Sequence, residues 1–471
     1  MYQSQLNDIA PQGYQFVAVN TNHGFALTGC PICGDLKCII VTNSQFFYLY
    51  YSMVLNYVWI AFFLIGFVVG VIKAVFLGQT GLLADMLNAL FDAAKNGFEI
   101  SLGLAGIMSL WLGIMKIGEK AGVIRVFSRA VSPLFSVLFK NVPKDGPAYG
   151  SVMMNLSANM LGLDNASTPL GLKAMSELQE LNPNKDTATN DQVMFLVLNT
   201  AGITLIPTSV IAMRQTIALE QHVQNFNAAD IFLPTLIATF IAFLSGMIIV
   251  AIYQRINLFK LPVLLFVAGF GGLIALLYAT LSHMPADKVN QLIGTIGSGV
   301  ILSFIVLFIS AGFIKRQNVY ENFIEGAKEG FGVSLRIIPY LIAMLIAISV
   351  LRSSGCMDYA IHAIAFCVAK CGLPTDFVPA LPVAFMKPLS GGGARALMVD
   401  VMRTTPGGVT SFPAKVAAVI QGSTETTFYV LAVYFGSVNI KNTRHALICG
   451  LLADIIGIVA AIILCYVFFP H

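Results

Sequence analysis

The chain has 471 residues, of which 57% are hydrophobic and 11% are charged. Soluble domains usually carry charge on about a quarter of their residues, so this composition excludes an ordinary soluble enzyme and predicts a multi-pass membrane protein. The formal net charge of +4 comes from scattered residues and forms no basic patch of the kind that nucleic-acid-binding proteins carry.

The amino-terminal part of the sequence differs from the rest, because residues 1–52 are polar and only weakly periodic. They contain a single Cys-x-x-Cys pair, Cys30 and Cys33, near His23. Structural zinc normally requires four ligands in paired spacing, so we predict no metal site. A long apolar run begins directly after Met53. We therefore expect either that translation begins at Met53 or that this extension is disordered.

Apolar runs of about 20 residues follow along the rest of the chain, and each is long enough to cross a bilayer as a helix. The alternation of a membrane β-barrel is absent, so the expected fold class is all-α. Continuous spans are predicted at about 54–77, 99–117, 191–213, 230–253, 261–281, 291–314, 335–352, 414–436 and 444–469. Gly, Pro, Asn and Ser interrupt the segments near 121–140, 147–178, 356–372 and 378–403. Such segments are typical of broken or re-entrant helices in transporters.

Two parts of the chain resemble each other. The segments 93–102 and 326–335 are identical at six of ten positions, and Lys95 recurs as Lys328 at an offset of 233 residues. Chance similarity between apolar helices does not usually preserve Lys and Gly positions together. The sequence therefore predicts two copies of one membrane unit, an arrangement that secondary transporters use to place a substrate site at the interface of their repeats.

The two predicted units cover about 91–214 and 323–438. The segment 116–144 in the first unit is strongly basic, whereas its counterpart around 352–372 holds few basic residues. Because short cytoplasmic loops are enriched in Lys and Arg, this difference favours repeats of inverted topology.

Glu425 is the leading candidate for a functional residue, because ionisable groups inside apolar spans are costly and rare. It lies in a dense group of polar residues at the middle of a predicted span: Gln421, Ser423, Thr424, Glu425, Thr426 and Thr427. A carboxylate among hydroxyls can bind a polar substrate, accept a proton or help to hold a sodium ion. The alternative is a glutamate bound to a neighbouring helix for packing alone.

Uncharged polar residues of the first unit are the expected opposite face of the site. Asn199, Thr200 and Thr204 precede Pro207, which can open backbone carbonyls in a helix. Earlier in the unit lie Asn155, Ser157, Asn159, Asp164, Asn165 and Thr168. The first three are spaced by two residues, so an unwound segment would bring them together, whereas a regular helix would not. The other three either bind a ligand or ion or form a loop with a helix cap.

The second unit contains a glycine-rich run at 386–397, in which Ser390 precedes three glycines. Triple glycine permits a close approach of backbone to a ligand, and Ser390 is therefore a further candidate contact. No phosphate-binding loop motif occurs in the chain, so we expect no nucleotide-hydrolysing motor. Asp454, alone in the last span, is either paired with a basic residue or part of a proton path.

Long motifs in both units resemble a known family. The segments 143–175 and 198–214, which include N-L-S-A-N-M-L-G-L-D-N-A-S-T-P-L-G, are similar to spore maturation protein A. The segments 388–395, 421–438 and 443–455, which include Q-G-S-T-E-T-T-F-Y-V-L-A-V-Y-F-G-S-V, are similar to spore maturation protein B. The chain thus resembles a natural fusion of two proteins with nucleoside-recognition, or Gate, domains.

The resemblance implies a spore maturation protein A-like half at 53–255 and a B-like half at 256–471, each with one Gate repeat. It implies a bacterial inner-membrane protein with a transporter-like architecture. It does not establish a nucleoside as the substrate, because that label is inherited by similarity.

We therefore expect a secondary transporter or permease of a small polar metabolite, nucleoside-like or another organic solute, and not an enzyme. We expect no cofactor and no metal, a coupling ion that is sodium or a proton, a lipid bilayer as surroundings, and no nucleic acid. The sequence does not decide whether the protein forms a homo-oligomer. The alternative is a membrane scaffold in envelope or spore maturation that transports nothing. A divalent-metal permease is a weaker reading, because no cluster of Cys, His or carboxylate ligands lies in the predicted spans.

Overall fold

A computed structural model describes residues 15–19, 24–28, 39–41, 43–162, 164–281 and 286–469. Within the predicted extension, three short strands form an antiparallel sheet: β1 (Gln15–Val19), β2 (Gly24–Thr28) and β3 (Ile39–Val41). Helix α1 (Asn43–Phe76) follows and begins before Met53. That translation begins at Met53 stays a prediction.

The rest of the described chain is helical, and two regions of it have the same order of elements. Each region has a long helix, a short helix, a helical hairpin and a helix broken in two. In the first repeat these are α2 (Leu82–Lys120), α3 (Val123–Leu138), α4 (Pro147–Met160), α5 (Asp164–Glu180), α6 (Asn190–Thr200) and α7 (Thr208–Glu220). In the second repeat they are α11 (Val319–Ser353), α12 (Cys356–Lys370), α13 (Leu381–Met386), α14 (Gly391–Thr404), α15 (Phe412–Ser423) and α16 (Thr427–Ser437).

Other long helices complete the bundle. They are α8 (Phe232–Gln254), α9 (Leu261–Leu281), α10 (Ala286–Ile314) and α17 (Ala446–Phe468). Within the described residues, seven helical segments are long and apolar enough to cross a membrane. The all-α, multi-pass fold predicted from the composition is therefore confirmed.

Two of the predicted spans are wrong in one respect. The spans at 191–213 and 414–436 are not continuous helices, because each contains a break between two shorter helices. The physical reason lies in their polar residues and Pro207, which disfavour a regular helix at these points. The predicted spans 99–117 and 335–352 are parts of the much longer helices α2 and α11.

The two repeats run in opposite directions through the bundle. The long helices α2 and α11 pack antiparallel, because Gly97 lies against Ile342, whereas Gly113 lies against Phe323. Equivalent helices that cross antiparallel are related by a two-fold axis perpendicular to them. For spanning helices, that axis lies in the membrane plane, so the inverted topology predicted from the basic residues is confirmed.

Small residues bring α2 and α11 close together along this contact. A Cβ atom added at Gly330 would lie 2.5 Å from the carbonyl oxygen of Met108, and one added at Gly326 would collide with that of Leu112. In a bilayer, where apolar side chains gain little by leaving lipid, such close backbone contact is a main source of helix association.

A pair of glycine variants tests this contact. We expect Gly330→Ala to lower the free energy of unfolding by about 1–3 kcal/mol, because the new methyl group overpacks the helix contact. Gly332→Ala is the matched control on the same helix, since nothing lies within 4 Å of an added Cβ there. Thermal unfolding of the purified variants in detergent is the measurement. Equal melting temperatures for the two variants would contradict the antiparallel contact.

Candidate functional site

The candidate site lies where the broken helices of the two repeats cross. The first break separates α6 from α7 between Thr200 and Thr208, and the second separates α15 from α16 between Ser423 and Thr427. The backbone N–H of Glu425 donates to the carbonyl of Thr200 at 2.7 Å. The first break therefore supplies the carbonyl acceptor for an N–H group of the second break, and this N–H has no acceptor within its own helix.

Each hairpin is joined to the broken helix of its own repeat by an equivalent hydrogen bond. The N–H of Leu205 donates to the carbonyl of Met160 at 2.8 Å, and the N–H of Phe428 donates to the carbonyl of Pro388 at 3.1 Å. The two repeats thus hold their hairpins in the same way. Together the hairpins and breaks surround a group of small cavities at the repeat interface.

The cavity of most interest has a volume of about 150 Å³. Its lining consists of Asn159, Ser167, Thr168, Asn199, Arg395, Glu425, Tyr429, Val430, Val433 and Tyr434. Both repeats contribute, since Asn159 and Asn199 come from the first and Arg395 and Glu425 from the second. A smaller cavity of about 30 Å³ also borders Glu425 and Arg395, and its lining includes Thr204, Lys387 and Gln421.

Arg395 and Glu425 carry opposite charges and line the same cavity. Glu425 is exposed to the cavities and Arg395 is half-buried. Neither side chain has a hydrogen bond or ion pair with any residue of the described part of the chain. A charged residue at the centre of a membrane helix costs about 2.5–3.5 kcal/mol on insertion scales, and such residues usually find a partner. Two opposite charges thus line one cavity without a partner among the described residues.

The two side-chain amides that line the cavity come from the first repeat. The side chain of Asn159 donates to the Oδ1 atom of Asn199 at 2.8 Å, and Asn199 in turn donates to the carbonyl of Phe195 at 2.8 Å. Thr168 completes this side. Asn159, Asn199 and Thr168 of the first repeat thus line the same cavity as Glu425.

The predicted unwinding around Asn155 is wrong. Asn155, Ser157 and Asn159 all lie in the regular helix α4. Asn155 and Asn159 share a face of it, whereas Ser157 is completely buried elsewhere. Asn155 donates to the carbonyl of Ser167 at 2.7 Å and therefore holds the hairpin together. The convergence arises from helix periodicity rather than from an open backbone.

The other predicted residues have mainly structural bonds. Thr200 donates to the carbonyl of Val197 and Ser423 to that of Ile420, as hydroxyls in helices often do. Ser390 caps α14, since its Oγ atom accepts from the N–H of Gly393 at 3.1 Å. Thr424 and Thr426 are buried at the second break. The side chains of Asp164 and Asn165 lie outside the described residues.

Asp454 is the most deeply buried carboxylate beside the site, with 0% of its surface exposed. Thr427, at the start of α16, donates to its Oδ2 atom at 2.6 Å. Lys387, in the hairpin of the second repeat, is 4% exposed and lies within electrostatic range of Asp454. Asp454 thus ties the last helix to the second break.

The second repeat also contributes lining residues that were not among the predicted site residues: Arg395, which belongs to the glycine-rich run at 386–397, and Tyr429, Val430, Val433 and Tyr434. The glycine run before Arg395 drew attention to the backbone, although an arginine inside a re-entrant segment of an apolar chain was itself a signal. Tyr434 could not be found in this way, because an aromatic residue in an apolar helix is unremarkable.

Comparisons with known proteins agree with this architecture. The family described as Gate, nucleoside recognition, matches residues 101–216 and 334–441, one region in each repeat. Spore maturation protein A of Bacillus subtilis (strain 168) is 40% identical over 41% of this chain and 92% of its own length. Spore maturation protein B of the same organism is 44% identical over 35% of this chain and 88% of its own length.

The chain belongs to the spore maturation protein A and B family of Gate-domain membrane proteins. Both relatives are covered almost completely, so this chain combines in one polypeptide what the relatives carry in two. No solved structure shows significant similarity to it. The family match and the two repeats agree, because each repeat contains one of the two matching regions.

A test of the buried hydrogen bond between Thr427 and Asp454 uses one variant and a control. We expect Thr427→Val to lower the free energy of unfolding by about 1–3 kcal/mol, because it removes this donor from a buried carboxylate. Asp145→Asn, at an exposed position, is the control. Thermal unfolding of the purified variants in detergent is the measurement. A melting temperature of Thr427→Val equal to that of the control would contradict the role of this bond.

Proposed function

We propose that this protein is a secondary transporter or permease of a small polar solute across the bacterial inner membrane. The single observation that carries the proposal is the cavity at the crossing of two broken helices, which is lined by the unpaired charges of Arg395 and Glu425. Secondary transporters bind substrates at the interface of inverted repeats, where discontinuous helices offer free backbone groups near the membrane midplane.

The arrangement supports alternating access. Each hairpin is joined to its broken helix by a backbone hydrogen bond near the tip, at Met160 and Pro388, and the hairpins flank the cavity from the two repeats. Movement of one hairpin and its broken helix relative to the other repeat would open the cavity to one side. The related movement of the second repeat would open it to the other side.

Sodium or protons are the coupling ions that the two carboxylates, Glu425 and Asp454, would serve. Glu425 borders the cavity, and Asp454 lies behind it at the second break. Sodium binds to hard oxygen ligands, and a carboxylate can either be one of these ligands or accept a proton. A passive permease would carry the same solute without either gradient.

The scaffold alternative gives the cavity no role. A scaffold requires surfaces for partners, and its folding would gain from apolar replacement of Arg395 and Glu425, which are costly in a membrane. Two opposite charges kept unpaired beside one cavity favour a ligand.

Transport in proteoliposomes tests the proposal. Vesicles are loaded with a mixed extract of small bacterial metabolites, and efflux is followed by mass spectrometry with a sodium gradient, a proton gradient and neither. We expect at least one polar solute to leave vesicles containing the protein faster than protein-free vesicles. We expect Glu425→Gln to reduce its rate at least tenfold, because the carboxylate contacts the solute or its coupling ion.

Glu99→Gln is the matched control, since Glu99 lies on α2 away from the cavities and pairs only weakly with Lys95, at 3.9 Å. We expect it to transport as the unchanged protein does. If no solute moves under any gradient, or if Glu425→Gln moves the native solute equally well, transport through this cavity is refuted. Tight co-purification with a partner protein would then support the scaffold.

A further inference from the structure

We infer that the transported solute is a zwitterion of the amino-acid type, with one carboxylate, one ammonium group and a small apolar substituent. This inference rests on the proposed transport function and specifies its substrate. It goes beyond the nucleoside named in the description of the matching family.

The charges around the cavity carry the first step. Among the described residues that line the 150 Å³ cavity, Arg395 is the one base and Glu425 the one acid. A guanidinium group presents a fork of N–H donors that matches a carboxylate, and a carboxylate accepts the N–H bonds of an ammonium group. A solute with both groups pairs both side chains at once.

Lys387 does not change this balance. It borders the neighbouring 30 Å³ cavity, but it is almost completely buried and lies within electrostatic range of Asp454. It also has an interaction within the protein. Among the described residues that line the 150 Å³ cavity, Arg395 and Glu425 therefore remain as the charged side chains without a partner.

Solutes with a single charge fit less well. An anion would pair with Arg395 and leave Glu425 uncompensated when the site closes, and a cation would do the reverse. Desolvating an unpaired charge costs several kcal/mol. The site therefore disfavours anions and cations, because each leaves one side-chain charge unpaired and is repelled by the side chain of like charge. A neutral nucleoside would leave both charges unpaired.

The size and lining of the cavities complete the inference. Pockets for drug-sized ligands hold about 300–1,000 Å³, so a cavity of about 150 Å³ favours a smaller solute. A second cavity, of about 130 Å³, also borders Arg395. Most of its lining is apolar: Leu104, Met108, Leu112, Met213, Val333 and Ile337. It offers space for an apolar substituent next to the charged groups.

Binding to the purified protein in detergent tests the inference without the passive membrane permeation of weak acids and amines. The probes are tritiated L-alanine, L-valine and L-leucine. The competitors are 4-methylpentanoate, which is leucine without its amine, 3-methylbutylamine, which is leucine without its carboxylate, and uridine. We expect at least one amino acid to bind and each competitor to act at least tenfold more weakly than the unlabelled amino acid.

Variants assign the two charges. We expect Arg395→Gln and Glu425→Gln each to weaken amino-acid binding at least tenfold. We expect Arg395→Gln to weaken competition by 4-methylpentanoate further. We expect Glu425→Gln to weaken competition by 3-methylbutylamine further. Arg129→Gln and Glu99→Gln are the controls, because neither residue lines these cavities.

The outcomes separate the two proposals. If uridine or a singly charged analogue binds more tightly than every amino acid, or if no amino acid binds while metabolite transport depends on Glu425, the zwitterion inference is overturned and the transport function stands. If the metabolite mixture shows no transport at all, the proposed function has failed, and the inference fails with it.

Discussion

The structure depends on how two interrupted helices satisfy their backbone inside a membrane. A helix that breaks in the bilayer leaves N–H and C=O groups without partners, and lipid supplies none. Here the breaks of the two repeats cross, and the N–H of Glu425 donates to the carbonyl of Thr200. The hairpins supply further partners at Met160 and Pro388. The site exists because these contacts allow irregular backbone at this depth, lined by cavities rather than by lipid.

The same crossing explains where the scarce charges lie. The chain is only 11% charged, yet Arg395 and Glu425 lie beside the same cavity without partners in the described structure. Asp454, in the last helix, accepts a hydrogen bond from Thr427 at the second break. This bond holds the last helix to the break, whereas the side chains of Arg395 and Glu425 have no partner among the described residues.

The repeats and the polar face could be predicted from the sequence, because they depend on local signals. Lys95 and Lys328 recur at one offset, and the polar runs 198–204 and 420–426 interrupt apolar runs at corresponding points. The contact between the breaks, from Glu425 to Thr200, and the position of Arg395 beside Asn159 could not, since these residues lie more than 200 positions apart. At Asn155 the sequence spacing led to a wrong prediction. Its spacing indicated an unwound segment, but hairpin packing keeps α4 helical, and the bond to Ser167 becomes a structural one.

The central claim is that the cavity beside Glu425 opens to each side of the membrane in turn. Tyr429 lines this cavity and is 44% exposed, so it offers a reporter position that leaves both charges in place. The most direct measurement is the labelling of Tyr429→Cys, in a chain whose eight native cysteines are replaced, by a membrane-impermeant thiol reagent added to either side of oriented vesicles. The account predicts labelling from both sides and protection by the transported solute. Labelling from one side only, whatever the ion gradient or solute, would contradict it.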